Sequence, residues 1–176
     1  MRACGRVKGG ADRAKPGRPR QTRSTAANPV DRGKPGSKLH ILSEAAGLPM
    51  VVGVTAANTH DSVMLVPMLD GLPAIRSRRG PRRRRPGKLH ADKAYDCDEL
   101  RNQCRRRGIT PRIARRGIES SERLGRWRWK IERTVSWIFG YRRLTIRYER
   151  KATYFAAFLS LAATLTCYKR LAKVST

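Results

Sequence analysis

Apolar and polar residues first form a regular pattern at residue 38 of the chain. Two short β-prone runs, residues 38–42 and 49–55, flank a turn-like segment at residues 44–47. Such runs on either side of a turn that contains glycine predict a β-hairpin. The polar run after the hairpin ends in Asp61 and Ser62, either of which is a candidate N-cap for a short helix.

The second half of the chain alternates strand-like and helix-like segments. Residues 88–91 predict a strand that ends at Asp92, and residues 98–108 predict a helix with acidic residues at its start and basic residues at its end. Residues 109–114 predict a further strand, in which Pro111 favours an edge position or a strand start. An apolar spacing of three and four residues then predicts an amphipathic helix. Its positions are Trp127, Ile131, Thr134, Val135 and Ile138.

The order of these elements predicts an α/β fold, and the initial hairpin makes its sheet mixed rather than wholly parallel. Residues 1–37 are rich in Gly, Pro, Arg and Lys. They predict a flexible basic arm, because they cannot bury enough apolar surface to offset the chain entropy. We therefore expect one folded domain at residues 38–172 of this 176-residue chain.

The charge of the chain changes the picture. Its formal net charge is +27, from 40 Lys and Arg residues against 13 Asp and Glu residues. This excess favours nucleic acid as the partner, because each cation that neutralises a phosphate releases condensed counterions. An anionic membrane surface is the competing partner, and a basic linker or a reading frame shaped by GC-rich codons is the remaining alternative.

Cysteine spacing and hydropathy indicate where the protein acts. The four cysteines lack paired Cys-x-x-Cys spacing, which argues against a zinc site or a disulfide scaffold and favours the reducing cytoplasm. The N-terminal residues have no apolar core of a secretory signal. Residues 152–168 form an uncharged segment at the lower limit of membrane-spanning length. Their small and hydroxylated side chains favour a core helix, so we expect no membrane partner.

Two carboxylates are candidates for chemistry in this basic chain. Asp92 follows a predicted strand, and ligands often bind at the carboxyl ends of strands in α/β sheets. Glu132 lies one position from the apolar stripe of its predicted helix. Oxygen ligands from two elements suit Mg²⁺ and phosphodiester chemistry. The alternative is structural: Asp92 caps the following turn, and Glu132 pairs with Arg128 one helical turn earlier.

A break with many arginines lies between residues 71 and 87. Adjacent like charges with Pro and Gly on both sides predict an exposed loop without regular structure. We interpret its Arg82, Arg83 and Arg84 either as phosphate contacts or as a solvated linker. The three histidines, His40, His60 and His90, are more often structural than metal ligands.

Several motifs resemble bacterial insertion-sequence transposases of the Asp-Asp-Glu class. Residues 92–96, Asp-Lys-Ala-Tyr-Asp, are similar to their Asp-Lys-Gly-Tyr-Asp signature. Residues 129–134, Trp-Lys-Ile-Glu-Arg-Thr, followed by Arg142 and Arg143, resemble their helix that carries the glutamate. Residues 31–38 and 57–62 are similar to that family too, so the matches span residues 31–171.

The resemblance implies an RNase H-like core with Mg²⁺ as cofactor and DNA as partner. Asp92 would be the second catalytic aspartate and Glu132 the catalytic glutamate, both binding metal. The implied reaction nicks the ends of the element and then joins the freed 3′ hydroxyl to target DNA. Arg128 matches the arginine of the family's Tyr, Arg, Glu, Lys pattern, whereas Gly125 and Phe139 replace its tyrosine and lysine. We expect Arg128, Arg142 and Arg143 to contact DNA. The sequence leaves the oligomeric state of the protein open, and a homo-oligomer is one of the alternatives.

The family's first aspartate has no match in this sequence. In the family it precedes a Val-Arg-Ala stretch, and Met1-Arg2-Ala3 occupies that stretch here. Asp31 lies in a segment rich in Pro and Gly that does not read as a central strand. We therefore expect a truncated domain without its first strand, weak metal binding and little activity. The alternative function is a basic nucleic-acid-binding protein without enzymatic activity.

Overall fold

The computed structural model describes residues 2–4, 26–27, 35–76, 81–115, 117, 121–149 and 151–173, with the backbone alone for residues 2–4, 26–27, 35, 76, 83 and 121–128. The strands within these residues are β1 (Arg2–Cys4), β2 (Ala26–Ala27), β3 (Pro35–Ser43), β4 (Pro49–Ala56), β5 (Ile75–Arg76), β6 (Arg82–Arg83), β7 (Lys88–Ala91) and β8 (Thr110–Ile113). The helices are α1 (Leu65–Asp70), α2 (Asp98–Arg106), α3 (Ser121–Phe139), α4 (Arg142–Thr145) and α5 (Ala152–Ala172).

The main sheet is mixed, as the sequence predicts. β4 pairs with β3, β3 is antiparallel to β1, and β1, β7 and β8 run parallel to one another. The short strand β2 pairs with the beginning of β3, and β5 pairs with β6 in a separate hairpin. Helix α2 connects β7 to β8, so this part of the chain is a β-α-β unit. β8 lies at the edge of the sheet, which explains how it tolerates Pro111.

The predicted hairpin is the longest strand pairing among the described strands of the sheet. β3 and β4 pair from Ser37 opposite Ala56 to Leu42 opposite Val51, with an irregularity between Leu42 and Ser43. Gly47 lies in the turn with a φ of +93°, a conformation that a side chain would strain. The turn residue Glu44 accepts hydrogen bonds from the backbone N–H groups of the turn, at Ala46 and Leu48.

The core has two halves, one on each face of the sheet. Leu42 points to one face and packs with residues of α1, β7 and α2. Leu39 and Ile41 point to the other face and pack with α3, α4 and α5. This division follows from the alternation of side chains along β3. Each layer of helices therefore has its own contact with the hairpin.

The structure corrects the expectation of a missing strand. Most of residues 1–37 lies outside the described residues, so the flexible arm stays a prediction there. Within that range, however, Arg2–Cys4 and Ala26–Ala27 are paired strands and β3 begins at Pro35. β1 lies between β3 and β7, at the position where we expected no strand. The sequence of this short segment does not itself predict a strand. It becomes one because the backbone N–H and C=O groups of β3 and β7 form hydrogen bonds with it.

Two local predictions are also wrong. The Arg-rich break is not wholly irregular, because β5 and β6 pair across it as Ile75 opposite Arg83 and Arg76 opposite Arg82. The N-cap of the short 3-10 turn before α1 is His60, whose Nδ1 accepts the Ser62 N–H at 3.3 Å, rather than Asp61 or Ser62. Asp61 is drawn away from capping by an ion pair with Lys38 at 2.8 Å.

The predicted helices of the last third are present as α3 and α5. One face of α5 is buried through Phe155, Leu159, Ala162, Ala163 and Thr166. Its other face is exposed. The helix predicted at residues 152–168 is therefore present, and one of its faces belongs to the core. None of the described helices has both the length and the hydropathy that crossing a membrane requires.

Candidate active site

Asp92 lies immediately after β7, so the predicted strand-end position is confirmed. Its carboxylate is exposed, and its Oδ1 accepts the backbone N–H of Lys93 at 2.6 Å. Ala91 pairs with Ile113 in β8 on one side of Asp92. On the other side Tyr95 is buried in the core at 2% exposure. These two anchors fix the backbone around Asp92 while its carboxylate stays accessible to a ligand.

Asp96, the second aspartate of the same motif, has a structural role. Its Oδ1 accepts hydrogen bonds from Nε and Nη2 of Arg101, at 3.1 and 2.6 Å. Arg101 is buried and also donates to the carbonyl oxygen of Ile113 at 3.0 Å. The pair therefore joins the motif to both α2 and β8. The five-residue motif thus combines one accessible carboxylate with core contacts.

Glu132 lies on the exposed side of α3, next to the buried Ile131. The helix is attached at this level to the turn between β3 and β4. The hydroxyl of Thr134 donates to the carbonyl oxygen of Gly47 at 2.5 Å. Lys130 and Arg133 donate to other carbonyl oxygens of the turn at 3.1 and 2.6 Å. The turn therefore fixes the rotation of α3 about its axis, and with it the side on which Glu132 lies.

Asp92 and Glu132 belong to the same side of the sheet. Leu89 and Ala91 of β7 pack in the core half beneath α1 and α2. Because side chains alternate along a strand, His90 and the extended residue Asp92 point to the opposite face. Helix α3, which carries Glu132, covers that face. The tertiary structure thus assigns both candidate carboxylates to one layer of the molecule.

Comparison with known proteins gives the same family as these motifs. Residues 12–167 match the family model described as a transposase DDE domain. The chain is 44% identical over 155 residues to a putative transposase for insertion sequence element IS402 from Burkholderia cepacia, across 88% of this chain and 72% of that protein. It is also 29% identical over 135 residues to a putative transposase for insertion sequence element IS6501 from Brucella ovis, across 73% of this chain and 95% of that protein.

The chain belongs to the DDE transposase family. The matched region includes both Asp92 and Glu132. It also includes β2, β3, β4, β7 and β8 of the main sheet, whereas β1 precedes the matched residues. The resemblance inferred from the motifs is therefore confirmed.

The two candidate side chains of this DDE transposase, Asp92 and Glu132, have carboxylate groups of the kind that bind Mg²⁺. Asp92 and Glu132 are exposed carboxylates, and Mg²⁺ is bound through one or two carboxylates together with water and phosphate oxygens. Across the described parts of the chain, no group of three or more His, Cys, Asp or Glu side chains is close enough to hold a metal ion. Asp92 and Glu132 are the candidate ligands among the described residues, and Asp12 and Asp31 lie outside those residues.

Four of the six arginines proposed to contact DNA are exposed. These are Arg82, Arg84, Arg142 and Arg143. Arg143 also pairs with Glu149 at 2.9 Å and stacks over Phe158 at 5.1 Å, so it has a structural role as well. The side chains of Arg83 and Arg128 lie outside the described residues.

One buried polar cluster was not predicted from the sequence. His40 is fully buried, and its Nε2 lies 2.7 Å from the Thr55 hydroxyl. Burial lowers the pKa of His40 to about 4, and the nearby Lys38 adds to this effect, while Asp61 opposes it. Lys38 pairs with Asp61 and donates to the Thr59 carbonyl oxygen at 2.6 Å. Lys38 and His40 are two residues apart on β3, so the sequence could have shown that they share a face of the strand. Their neighbour Asp61 belongs to the turn before α1, and its proximity could not be read from the sequence.

Proposed function

We propose that this transposase binds the ends of its insertion sequence and target DNA, and that it cleaves and joins DNA strands with Mg²⁺ held by Asp92 and Glu132. The observation that carries the proposal is the placement of these two exposed carboxylates on one side of the sheet. Membership of the family supplies the class of reaction.

An RNase H-like core is part of the proposal. Its support is the mixed sheet, in which β3 of the hairpin is antiparallel to β1, and β7 and β8 are parallel to β1. Helices cover both faces of this sheet. In such an arrangement the end of β7 and the exposed side of α3 are positions from which acidic side chains can bind one ion.

DNA binding follows from a charge that internal pairing cannot neutralise. The described ion pairs join Lys38 to Asp61, Arg101 to Asp96, Arg107 to Asp70 and Arg143 to Glu149. Even if every acidic residue were paired, the net charge of +27 would remain. Phosphate groups are the partner that relieves this repulsion, with an affinity that falls as salt rises.

The residues of this chain have two tasks in the proposed reaction. Asp92 and Glu132 hold the ion, and exposed arginines such as Arg82 and Arg84 hold the phosphate backbone. Mg²⁺ bound there would supply Lewis-acid stabilisation of the phosphate charge and lower the pKa of an attacking hydroxyl. The Asp92 backbone contributes by rigidity, because Ala91 and Tyr95 fix it on both sides. A carboxylate held in this way loses little freedom on binding metal.

The experiment is strand nicking of a duplex that carries an end of the element, measured with and without Mg²⁺. We expect nicking by the wild type to be lost in Asp92→Asn and in Glu132→Gln. The matched controls are Asp98→Asn and Glu99→Gln, which remove exposed carboxylates from the first turn of α2. Equal activity of all four variants would contradict the assigned metal ligands. Circular dichroism confirms that each variant is folded.

A second candidate function is DNA binding without cleavage. The observation that favours it is that no group of three or more possible metal ligands occurs among the described residues, so that Asp92 and Glu132 alone would form the proposed site. A site of this kind would bind Mg²⁺ weakly and leave the wild type without nicking activity. The two functions are separated by one comparison. Nicking that requires both Mg²⁺ and Asp92 excludes the second candidate, whereas tight DNA binding without nicking by the wild type supports it.

A further inference from the structure

A groove lies between the C-terminal parts of α3 and α5, and we call it the α3–α5 groove. It is open to solvent and has a volume of about 520 Å³, a size that is typical of ligand sites. Its lining is aromatic and basic, and it includes neither candidate carboxylate and none of the six arginines proposed above. The lining residues are Trp137, Gly140, Tyr141, Thr166, Tyr168, Lys169, Arg170, Ala172 and Lys173.

Cations in and beside the groove lie over aromatic rings. The Arg170 guanidinium carbon is 3.8 Å from the centre of the Trp137 ring. Arg133 lies between Trp137 and Trp129, with its guanidinium carbon 4.8 and 4.7 Å from the two ring centres. Such contacts hold long side chains in place. A guanidinium that lies flat on a ring still directs its N–H groups outward, where they can bind phosphate.

Two aromatic side chains of this region are exposed to solvent. Tyr168 is 71% exposed and Trp129 is 48% exposed. Tyr168 lines the groove, whereas Trp129 lies beside it and contacts the same Arg133 that lies over Trp137. Large exposed aromatic side chains of this kind mark an interaction surface. Helix α5 contains no Asp or Glu between residues 152 and 172, so no acidic side chain of that helix neutralises Lys169 and Arg170. The surface therefore offers ring faces and positive charges together.

Unpaired nucleic-acid bases are the ligand that uses both features. Single strands bind in basic grooves in which aromatic side chains stack on successive bases. Bases in an intact duplex are already stacked on their neighbours, so a duplex can use the charges of the groove but not its rings. A second copy of this chain would fit the apolar rings, but it would bring a further charge of +27 to a basic surface.

We propose that the α3–α5 groove binds single-stranded DNA, with unpaired bases stacking on Tyr168 in the groove and on Trp129 beside it, and with phosphates contacting Lys169, Arg170 and Lys173. The inference rests on the proposed function and deepens it, since strand cleavage leaves a strand end that can separate from its partner, and the groove gives that unpaired segment a binding surface. Binding of a single strand at this groove requires neither Mg²⁺ nor cleavage. The groove can therefore be tested separately from Asp92 and Glu132.

The test is fluorescence anisotropy with three labelled probes in the absence of Mg²⁺: a 15-nucleotide oligothymidylate, an abasic strand of the same length and a 15-base-pair duplex. We expect Tyr168→Ala to weaken oligothymidylate binding by roughly 5-fold or more, the range found when an aromatic side chain that stacks on a base is removed. Tyr168→Phe should retain binding, because the ring is kept. Binding of the abasic strand and of the duplex should change by less than about twofold, since neither uses the ring.

The matched control is Tyr154→Ala, which removes an exposed tyrosine from the other end of α5. It should bind all three probes as the wild type does. Equal losses in Tyr154→Ala and Tyr168→Ala would overturn the proposal, and so would an abasic strand that binds as tightly as oligothymidylate. Sedimentation at the same protein concentrations provides a further test. If the wild type forms a dimer that Tyr168→Ala disrupts while oligothymidylate binding is unchanged, the groove is an interface between copies and the proposal fails.

The phosphate contacts have their own readout. The double variant Lys169→Ala/Arg170→Ala should reduce the slope of log affinity against log salt for oligothymidylate by roughly 1.4, about 0.7 for each phosphate contact of a single strand. Absence of nicking by the wild type, together with intact single-strand binding, would contradict the proposed function alone. Unchanged single-strand binding in both Tyr168→Ala and the double variant would contradict the groove alone.

Discussion

The fully buried hydroxyl of Thr134 donates to the carbonyl oxygen of Gly47 at 2.5 Å, across 87 residues of sequence. This bond joins the helix that carries Glu132 to the turn of the central hairpin. Gly47 has a φ of +93°, and a Cβ atom there would lie 3.0 Å from the Thr134 hydroxyl. The two residues are therefore fitted to each other, and the position of α3 depends on both.

We expect Thr134→Val to destabilise the protein by roughly 1–3 kcal/mol, because the Gly47 carbonyl oxygen loses its donor while it stays buried. The measurement is the free energy of unfolding in urea. The control is Thr164→Val on the exposed side of α5, where the hydroxyl bonds to Ser160 of the same helix. That variant should change the free energy by less than about 0.5 kcal/mol. If Thr134→Val and Thr164→Val lowered the free energy of unfolding by similar amounts, the hydrogen bond to Gly47 would not be the cause.

Substitution by asparagine should reduce stability at Asp96 but have little effect on stability at Asp92, the other aspartate of the motif at residues 92–96. Asp96→Asn removes the partner of the buried Arg101 and should lower the free energy of unfolding by roughly 3–5 kcal/mol. Asp92→Asn should change it by less than about 0.5 kcal/mol, because the side chain is exposed and asparagine can accept the same Lys93 N–H.

Urea unfolding of the two aspartate variants at pH 7 tests this prediction, and nicking assays complete the comparison. A destabilised Asp92→Asn would point to a structural role for that residue. The ion pair between Arg107 and Asp70 is the exposed counterpart of the Arg101 pair. Arg107→Met should therefore cost less than about 1 kcal/mol.

His40 should make the protein less stable in mild acid. Burial lowers its pKa to about 4 in the folded state, against 6.5 in the unfolded chain. Between these two values the unfolded state binds a proton that the folded state does not, so stability falls as the pH falls from 6.5 towards 4. The loss from this group at pH 5 is about 2 kcal/mol.

The measurement for His40 is the difference in unfolding free energy between pH 7 and pH 5. His40→Gln should show a smaller difference than the wild type by about that amount, since glutamine can bond to Thr55 but does not titrate. A wild type and a His40→Gln variant with the same pH dependence would refute the explanation.

Arg82 should contribute to duplex binding through phosphate contact. Arg82→Ala should weaken binding to different duplex sequences by similar factors and reduce the salt slope by roughly 0.9. Arg107→Ala removes the same charge from a residue that is paired with Asp70, and it serves as the control. If both variants reduce the salt slope equally, the effect comes from net charge and not from a contact of Arg82.

Local patterns predicted the elements whose signals lie within a few residues. The hairpin of β3 and β4, the helix α2 with Gly108 after its end, and the amphipathic helix α3 are all present. They are predictable because the periodicity of apolar side chains and the residues at turns and helix ends act over short distances. The motif at residues 92–96 likewise identified Asp92, the accessible carboxylate at the end of a strand.

The roles of several residues depended on partners that are distant in sequence. Asp61 pairs with Lys38 of β3, which leaves His60 to cap the turn. Asp96 pairs with Arg101, so it is not a second accessible acid beside Asp92. Neither outcome could be read from the local sequence, because a capping residue and an ion-pair partner have the same chemistry until the fold brings the partner near.

The sequence by itself determined the α/β class, the family of the protein and the identity of its two candidate carboxylates, since these depend on short motifs and on side-chain periodicity. The tertiary structure decided that β1 lies in the middle of the sheet, that Asp92 and Glu132 belong to one side of it, and that Trp137 of α3 and Tyr168 of α5 line one basic groove. Those relationships are set by strand pairing and by packing across the core, which join residues that no local pattern connects.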